Sequence, residues 1–532
     1  MKGTEIQNKP LTHGGILLAQ AVKDAYNEGQ TDYAIEPLVR IDERGLPVGL
    51  INDGDSVIFC CRRGEREIEL TEAFTEPDFT HFSRRAIQKL NFVILTLYHD
   101  KFKDLPVAFA PSKLKDTLGE IISHAGMRQL RCSESEKFAH ITFFFNGGNN
   151  QAFPGEVGIR IPSPKGIPFD LIPELSLPQV ADEVIRGIHD PYDFILTNFA
   201  NGDVIGHTAN QTAKIKCAQY VDTYLGKVVE EAIRADYVIA ITADHGNLEE
   251  MLTADGTPHV AHTTNKVPFV LIDPRSKKPL NSVDGSLADI SPSILPILDL
   301  PLPTEMTGVN LVPAHDWGQK RRLLLIILDG WGIGKEDDTN PIFLAHTPIW
   351  DNLVRQYSPS QLHASGEAVG LQVGKAGNSE AGHLNIGAGR IILQDDVRLD
   401  KAMQDSSFYT NEVFLDAIEH VTQHQSNLHL ICLLSERSSH GSIDYPLALL
   451  KMAKSMNLKE VYLHVILDGR STEPGSAPAL LEKFEGLMAN IGIGQLVSGV
   501  GRGIALDRDG NYAKIKRAYE AFVLGVGRGY PR

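Results

Sequence analysis

The chain predicts an α/β fold in two domains, and three observations carry that prediction. At 532 residues it exceeds what one ordinary hydrophobic core organises. Four short apolar runs with the length and composition of buried strands are spread through residues 194 to 328. Beside each lies a cluster of Asp, His or Asn, and in open α/β sheets such polar groups gather beyond the carboxyl ends of strands.

In chain order, FILTNF (194–199) runs into NFANGDVIGH, which carries Asp203 and His207. The stretch NQTAKIKCAQYVDTYLGKVVEEAIR (210–234) has apolar residues at helical spacing and precedes the strand-like YVIAITA (237–243). That run opens into TADHGN, with Asp244 and His245. His262, in AHTTN, stands ahead of VPFVLI (267–272), and SLADISPSILPILDL (286–300) has the apolar content of a helix packed on a sheet. LLLIIL (323–328) leads into LDGWG with Asp329, and GNSEAGH places Ser379 beside Asn378 ahead of a predicted helix.

Seven side chains in these motifs are candidates for holding metal or attacking phosphorus. Asp oxygens mixed with His nitrogens suit hard or borderline divalent ions such as manganese, magnesium or zinc, and no thiolate-rich cluster points to softer ones. A serine hydroxyl is a weak nucleophile near neutral pH, and metal coordination is a standard way to activate it. Taken singly, these residues read as structure: an Asp after a strand as a turn or cap residue, His262 as a satisfied core histidine. Their co-occurrence, with ligand-compatible types throughout, predicts a two-metal phosphoryl-transfer site with Ser379 as its nucleophile.

Composition excludes several other classes. The 42% hydrophobic content with interspersed charge is that of a soluble globular enzyme. No apolar run reaches the length of about 18 residues that a membrane-spanning helix needs, and MKGTEIQNKPLTHGG lacks a signal-peptide core. Cys60, Cys61, Cys132, Cys217 and Cys432 show no CxxC spacing and cannot all pair internally, which predicts a reducing cytoplasm. A net charge of −16 argues against a nucleic-acid partner and requires that any bound phosphate be held by local cations.

The motifs resemble those of cofactor-independent phosphoglycerate mutases, members of the alkaline phosphatase superfamily, over most of the chain but in a different order. In that family LDGWG lies near the N-terminus and TADHGN near the C-terminus, whereas here TADHGN comes first. The resemblance therefore implies a circular permutation, in which LPLPTEMTGVNLV runs through PAHDWGQKR into LLLIILDGWG and joins the two old ends. Termini of compact domains often lie close together, so such a joint is tolerated. It further implies an alkaline-phosphatase-like metal-binding domain over 112–394, and a substrate-handling α/β domain assembled from 1–111 and 395–532.

The resemblance also distributes roles. Asp203, His207 and His262 would hold one divalent ion, and Asp329, Ser379, Asp244 and His245 the other; manganese is expected first, with magnesium, cobalt or zinc admissible. Lys137, in SESEKFAH, matches the family's lysine near the nucleophile and would neutralise charge on the transferring phosphoryl group. A clamp for phosphoglycerate is implied at Arg63 and Arg66 in RRGER, His440 in ERSSHG, Arg470 and Ser471 in LDGRS, and Arg502 and Arg508 in GRGIALDR. Guanidinium groups suit that work because their planar donors engage carboxylate or phosphate in pairs. The implied activity is interconversion of 2-phosphoglycerate and 3-phosphoglycerate through phospho-Ser379, by a cytoplasmic monomer that needs no bisphosphoglycerate.

Three departures from the family pattern fall in the clamp. NFRPDR becomes CCRRGER, SDGGVHSH becomes SERSSHGS, and LDGRD becomes LDGRS. The last places Ser471 where the family carries an Asp that helps move the glycerate hydroxyl proton, and an unactivated serine cannot serve as a base near neutral pH. Two other readings therefore stand beside the mutase: a metal-dependent phosphomonoesterase or mutase for another phosphorylated small molecule, and a weakly active phosphoglycerate-binding sensor.

Overall fold

The computed structural model describes residues 13–62, 65–111, 114–276, 278–313, 315–357, 359–436, 438 and 440–531. The chain divides into two compact units: one takes the residues up to Pro111 and those from Arg398 onward, the other the residues between. The first segment carries strands β1 (Leu38–Ile41), β2 (Ser56–Cys60), β3 (Asn91–Thr96) and β4 (Val107–Phe109). The middle segment begins with β5 (Gln129–Glu134), β6 (Glu156–Ile161), β7 (Phe194–Phe199) and β8 (Tyr237–Thr242). It continues with β9 (Val267–Ile272), β10 (Gly285–Ser286), β11 (Arg322–Leu328) and β12 (Ser360–His363). The last segment supplies β13 (Leu428–Leu434), β14 (Val461–Leu467), β15 (Gln495–Gly501) and β16 (Arg528–Pro531).

In the middle unit the sheet order is β10-β12-β9-β8-β11-β7-β5-β6. Strands β6, β5, β7, β11 and β8 run parallel, whereas β9 runs antiparallel to both β8 and β12. The four apolar runs read from the sequence are β7, β8, β9 and β11, and their side chains are buried on both faces almost throughout. Strands covered on both faces have no solvent side to mark with alternation, which is why the runs are continuously apolar. The helix Gln211–Arg234 buries Ala213, Cys217, Val221, Leu225, Val228 and Ala232 along one stripe, starting where the Asn210 side chain accepts the Ala213 N–H. Residues 286–300 form three short pieces rather than one helix: a 3-10 turn Leu287–Asp289, an α-turn Ile290–Ile294 and a second 3-10 turn Leu295–Leu298. Pro292 and Pro296 donate no backbone hydrogen bond, so the α-helical ladder is interrupted and the path changes between α and 3-10 geometry.

The other unit has the order β16-β1-β15-β14-β13-β2-β3-β4. Its centre is parallel, and β13 from the last segment pairs with β2 from the first, Leu428 opposite Ser56 through Cys432 opposite Cys60. Neither segment completes this sheet alone.

A chain of buried polar groups crosses its core. Asp55 accepts from His429 Nε2 at 3.1 Å, His429 Nδ1 accepts from His464 Nε2 at 3.1 Å, and His464 Nδ1 accepts from Ser498 Oγ at 2.8 Å. A carboxylate only accepts, and with both rings kept neutral by burial the direction of donation is fixed along the whole chain. Burial pushes the proton affinity of both imidazoles down. The unfolded chain therefore binds more protons than the folded one below the ordinary histidine value of 6.5, so the stabilisation is complete above that pH and lost as pH falls through it. Urea unfolding at pH 7, 6 and 5 should show stability falling by up to ~1.4 kcal/mol per pH unit for each ring. The loss should be shallower in His464→Gln; equal slopes would remove the assignment.

Candidate active site

The carboxyl ends of the parallel strands in the middle unit deliver the candidate residues to one edge. Lys137 follows β5, Asp203 follows β7 on the short helix Asn201–Gly206, Asp244 and His245 follow β8, and Asp329 follows β11. His262 precedes its strand, yet reaches the same edge because β9 is antiparallel to β8. Ser379 is the first residue of the helix Ser379–Ala388, whose start is capped by the Asn378 side chain accepting the Ala381 N–H at 2.9 Å. Gly330, after Asp329, has φ +71°, and a Cβ there would stand 2.7 Å from the Asp203 backbone nitrogen. The tight turn of LDGWG thus needs glycine both for its conformation and for its approach to the Asp203 helix.

Lys137 stands at the centre of the cluster. Its ammonium donates to Asp203 Oδ2 at 2.7 Å, Asp329 Oδ1 at 2.7 Å and Ser379 Oγ at 2.6 Å. Burial works against the charge, but Asp329, Asp203 and Asp244 outweigh it and hold the amine above its ordinary range. His245 Nε2 lies 3.0 Å from Ser379 Oγ. Burial likewise opposes its proton, yet Asp244, Asp329 and Asp203 push the ring up to about 9. Burial alone would raise the Asp203 carboxyl, but Lys137 and the His207 and His262 rings hold it well below the usual carboxylate range.

Three groups bring ligand atoms within 4.8 Å of one another: Asp203 with His207 and His262, Asp203 with His245 and Asp329, and Asp244 with Asp329 and His383. Their carboxylate oxygens and imidazole nitrogens fit divalent ions. Local geometry supports the fit. His207 Nδ1 contacts the Val260 carbonyl at 2.9 Å and His262 Nδ1 the Gly377 carbonyl at 2.7 Å, so each ring donates outward and turns Nε2 inward. The two Nε2 atoms face each other across 3.1 Å and lie 3.2 and 3.0 Å from Asp203 Oδ1. Such a convergence of acceptors is repulsive unless positive charge sits among them. Asp244 Oδ2 is also buried and accepts no hydrogen bond among the described residues.

Several residues of this cluster were not singled out from the sequence. His383, one turn beyond Ser379 on the same helix, contacts Ser379 O through Nδ1 at 2.8 Å and lies 3.3 Å from Asp244 Oδ2. Asn198 donates to Asp329 Oδ2 at 2.7 Å and contacts His383 Nε2 at 3.1 Å. Asn247 donates to Asp203 Oδ1 at 3.0 Å, and buried Glu249 ties the Asn247 and Gly332 amides together at 2.8 and 3.0 Å. The signal for His383 was present: it is the last letter of GNSEAGH, and i,i+4 spacing in a helix puts it on the face of Ser379.

The clamp candidates arise at the carboxyl ends of β2, β13, β14 and β15 in the other unit. They are not uniformly available. Arg502 is buried in an ion pair with Asp468, and Arg66 is buried and donates to the Leu506 carbonyl at 2.9 Å. Arg508 pairs with Glu65 at 2.9 Å near the surface. Arg470 and Ser471 are exposed, and His440 Nδ1 faces Glu67 at 3.1 Å. Arg63 lies outside the described residues.

Residues 13–302 match the family model described as the metalloenzyme superfamily, more than half of the chain. The chain belongs to the metalloenzyme superfamily. In this metalloenzyme the matched stretch contains Lys137, Asp203, His207, Asp244, His245 and His262. A second model, described as the N-terminus of BPG-independent PGAM, matches residues 399–530 and thus lies after the metalloenzyme stretch; Asp329 and Ser379 fall between the two. The 2,3-bisphosphoglycerate-independent phosphoglycerate mutase of Moorella thermoacetica is 43% identical over 295 residues, 55% of this chain and 57% of that protein. The enzyme of the same name from Desulforudis audaxviator is 44% identical over 298 residues, with the same shares covered. The chain thus spans a little over half the length of the curated relatives it matches. A solved structure of Leishmania mexicana phosphoglycerate mutase at low cobalt concentration is 28% identical, covers 51% of this chain and 52% of its own, and has a TM-score of 0.38. Among the described residues no helix of the metalloenzyme is long and apolar enough to cross a membrane.

Proposed function

We propose that this metalloenzyme interconverts 3-phosphoglycerate and 2-phosphoglycerate through a phosphoserine at Ser379, without a bisphosphoglycerate primer. The observation that carries the reading is the convergence of Lys137 and His245 on Ser379 Oγ at 2.6 and 3.0 Å, at the first residue of a capped helix. The names of the relatives and the two matched models support phosphoglycerate as the substrate.

In the first half-reaction Ser379 Oγ attacks phosphorus, the bond from phosphorus to the glycerate oxygen breaks, and the glycerate oxygen takes up a proton. In the second, the other glycerate hydroxyl attacks the phosphoserine, loses its proton, and Ser379 is released. Lys137 neutralises the phosphoryl oxygens throughout, a charge-stabilising task that dominates phosphoryl transfer. Divalent ions bound at Asp203, His207 and His262 and at Asp329, Asp244, His245 and Ser379 would lower the serine pKa and polarise the phosphoryl group. Manganese is the ion we assign first, with magnesium, cobalt and zinc as alternatives.

The order of the matched stretches supports a circular permutation, with a phosphatase-like domain over 112–394 and a substrate-handling domain from 1–111 and 395–532. A collinear alignment stops at such a joint, which accounts for relatives matched over only part of their length. We further assign the enzyme to the cytoplasm as a monomer; its five buried, unpaired cysteines suit a reducing compartment.

Phosphorus NMR of the protein with manganese and 3-phosphoglycerate, free of bisphosphoglycerate, tests the reading. Growth of a 2-phosphoglycerate resonance is expected. Inorganic phosphate alone would instead identify a phosphomonoesterase, and an unchanged spectrum with metal bound would leave only a binding role or another substrate.

A further inference from the structure

Lys214, in the first turn of the helix Gln211–Arg234, is only 1% exposed, although lysine is among the residues most seldom buried without a paired charge. Among the described residues its ammonium forms no ion pair and makes one hydrogen bond, to the His259 carbonyl at 2.6 Å. Burial pulls the amine down to about 8, and the charge of Glu249 offsets this only in part. An apolar side chain of similar length would fill the same space without burying a charge. The ammonium is therefore better explained by what it holds than by what it adds to the core.

What it holds is the segment that supports two of the candidate ligands. The next carbonyl along, that of Val260, accepts from His207 Nδ1 at 2.9 Å, and His262 lies two residues further on. The far end of the segment is tied separately: the Thr263 amide donates to the Gly246 carbonyl at 3.0 Å, and Thr263 Oγ1 donates to buried Glu249. His207 and Lys214 flank the turn that opens the long helix, so one piece of chain grips two successive carbonyls of the facing segment. The result is a closed arrangement in which the His207 and His262 Nε2 atoms stand 3.1 Å apart, and 3.2 and 3.0 Å from Asp203 Oδ1.

We propose that Lys214 is a positioning residue for a divalent ion held by Asp203, His207 and His262. Its bond to the His259 carbonyl keeps residues 259 to 262 in the conformation that turns both Nε2 atoms toward Asp203. It acts through the backbone and is not itself a ligand. The inference rests on the reading that these three residues hold an ion. All of the groups involved belong to the middle unit.

The test is calorimetric titration of manganese into the chelator-stripped, full-length protein and its variants. Wild type is expected to take up two ions. Lys214→Met, which fills the space without a donor, should weaken one of them by about 10- to 100-fold, the usual effect of removing an outer support of a metal ligand, and leave the other within about twofold. His207→Ala should lose that same ion, which identifies the weakened site. Wild-type affinity for both ions in Lys214→Met overturns the inference, and so does an equal weakening of the two, the mark of a merely structural role. Unchanged binding in His207→Ala overturns the reading of the site and the inference with it. Should Lys214→Met not fold, Lys214→Gln, whose side chain is one bond shorter, carries the same comparison with the same selective loss expected. Failure of both variants to fold would make Lys214 a residue of the core alone and overturn the inference.

Discussion

Ser379→Ala is expected to abolish isomerisation, lowering turnover by about 10⁴- to 10⁶-fold and leaving no phosphoenzyme. The change removes one oxygen and little else. Asn378 still caps the helix through the Ala381 N–H, and alanine is the best helix former, so the backbone that presents position 379 should persist. Lys137 keeps its contacts to Asp203 and Asp329 at 2.7 Å, so the ammonium remains paired inside the cluster. Of the groups that Lys137 Nζ contacts, Ser379 alone carries a hydroxyl, so no neighbour in that shell can take over the attack. Mass spectrometry of acid-quenched enzyme should find phosphate on the wild-type peptide containing Ser379 and none on the variant. Turnover within about tenfold of wild type would remove Ser379 as the nucleophile.

Stripping divalent ions with a chelator should abolish turnover as fully, and the return of activity on adding manganese should be steeply pH-dependent. His245 without metal keeps its proton up to about 9, because Asp244, Asp329 and Asp203 outweigh its burial. An imidazole ligates a metal only when neutral, so binding at His245 displaces that proton. Below pH 9 each unit of added pH should therefore raise the apparent manganese affinity by about tenfold, and above it the dependence should flatten. Calorimetric titrations at pH 7, 8 and 9 in buffers of different ionisation enthalpy would measure both the affinity and the proton released. A flat affinity with no proton release would contradict a site in which His245 is a ligand.

Much of the fold was legible because it is local. FILTNF, YVIAITA, VPFVLI and LLLIIL are continuous apolar runs, and each became a strand because a strand buried on both faces needs no polar alternation. The helix Gln211–Arg234 announced itself by its stripe and by Asn210 at its start. The clamp was harder to read. Arg66, Arg470, Arg502 and Arg508 look alike as letters, yet one donates to a backbone carbonyl, one is exposed, and two are held by carboxylates. Glu67 gave no signal, because a glutamate in a charged loop is ordinarily solvated and only the fold buries it against His440.

The sequence by itself determined residue types and local shape: Asp and His side chains suited to divalent ions, a serine beside them at a helix start, and the apolar runs that must be buried. Only the tertiary structure decided which of these meet. The direction of β9 brings His262, upstream of its strand, to the same edge as Asp203 and His207, and the pairing of β13 with β2 brings His440 to Glu67. The reason is that hydrophobic pattern is carried by neighbouring side chains. Strand order and direction are set by backbone hydrogen bonds, which are the same for nearly every residue, and by packing between segments far apart in the chain.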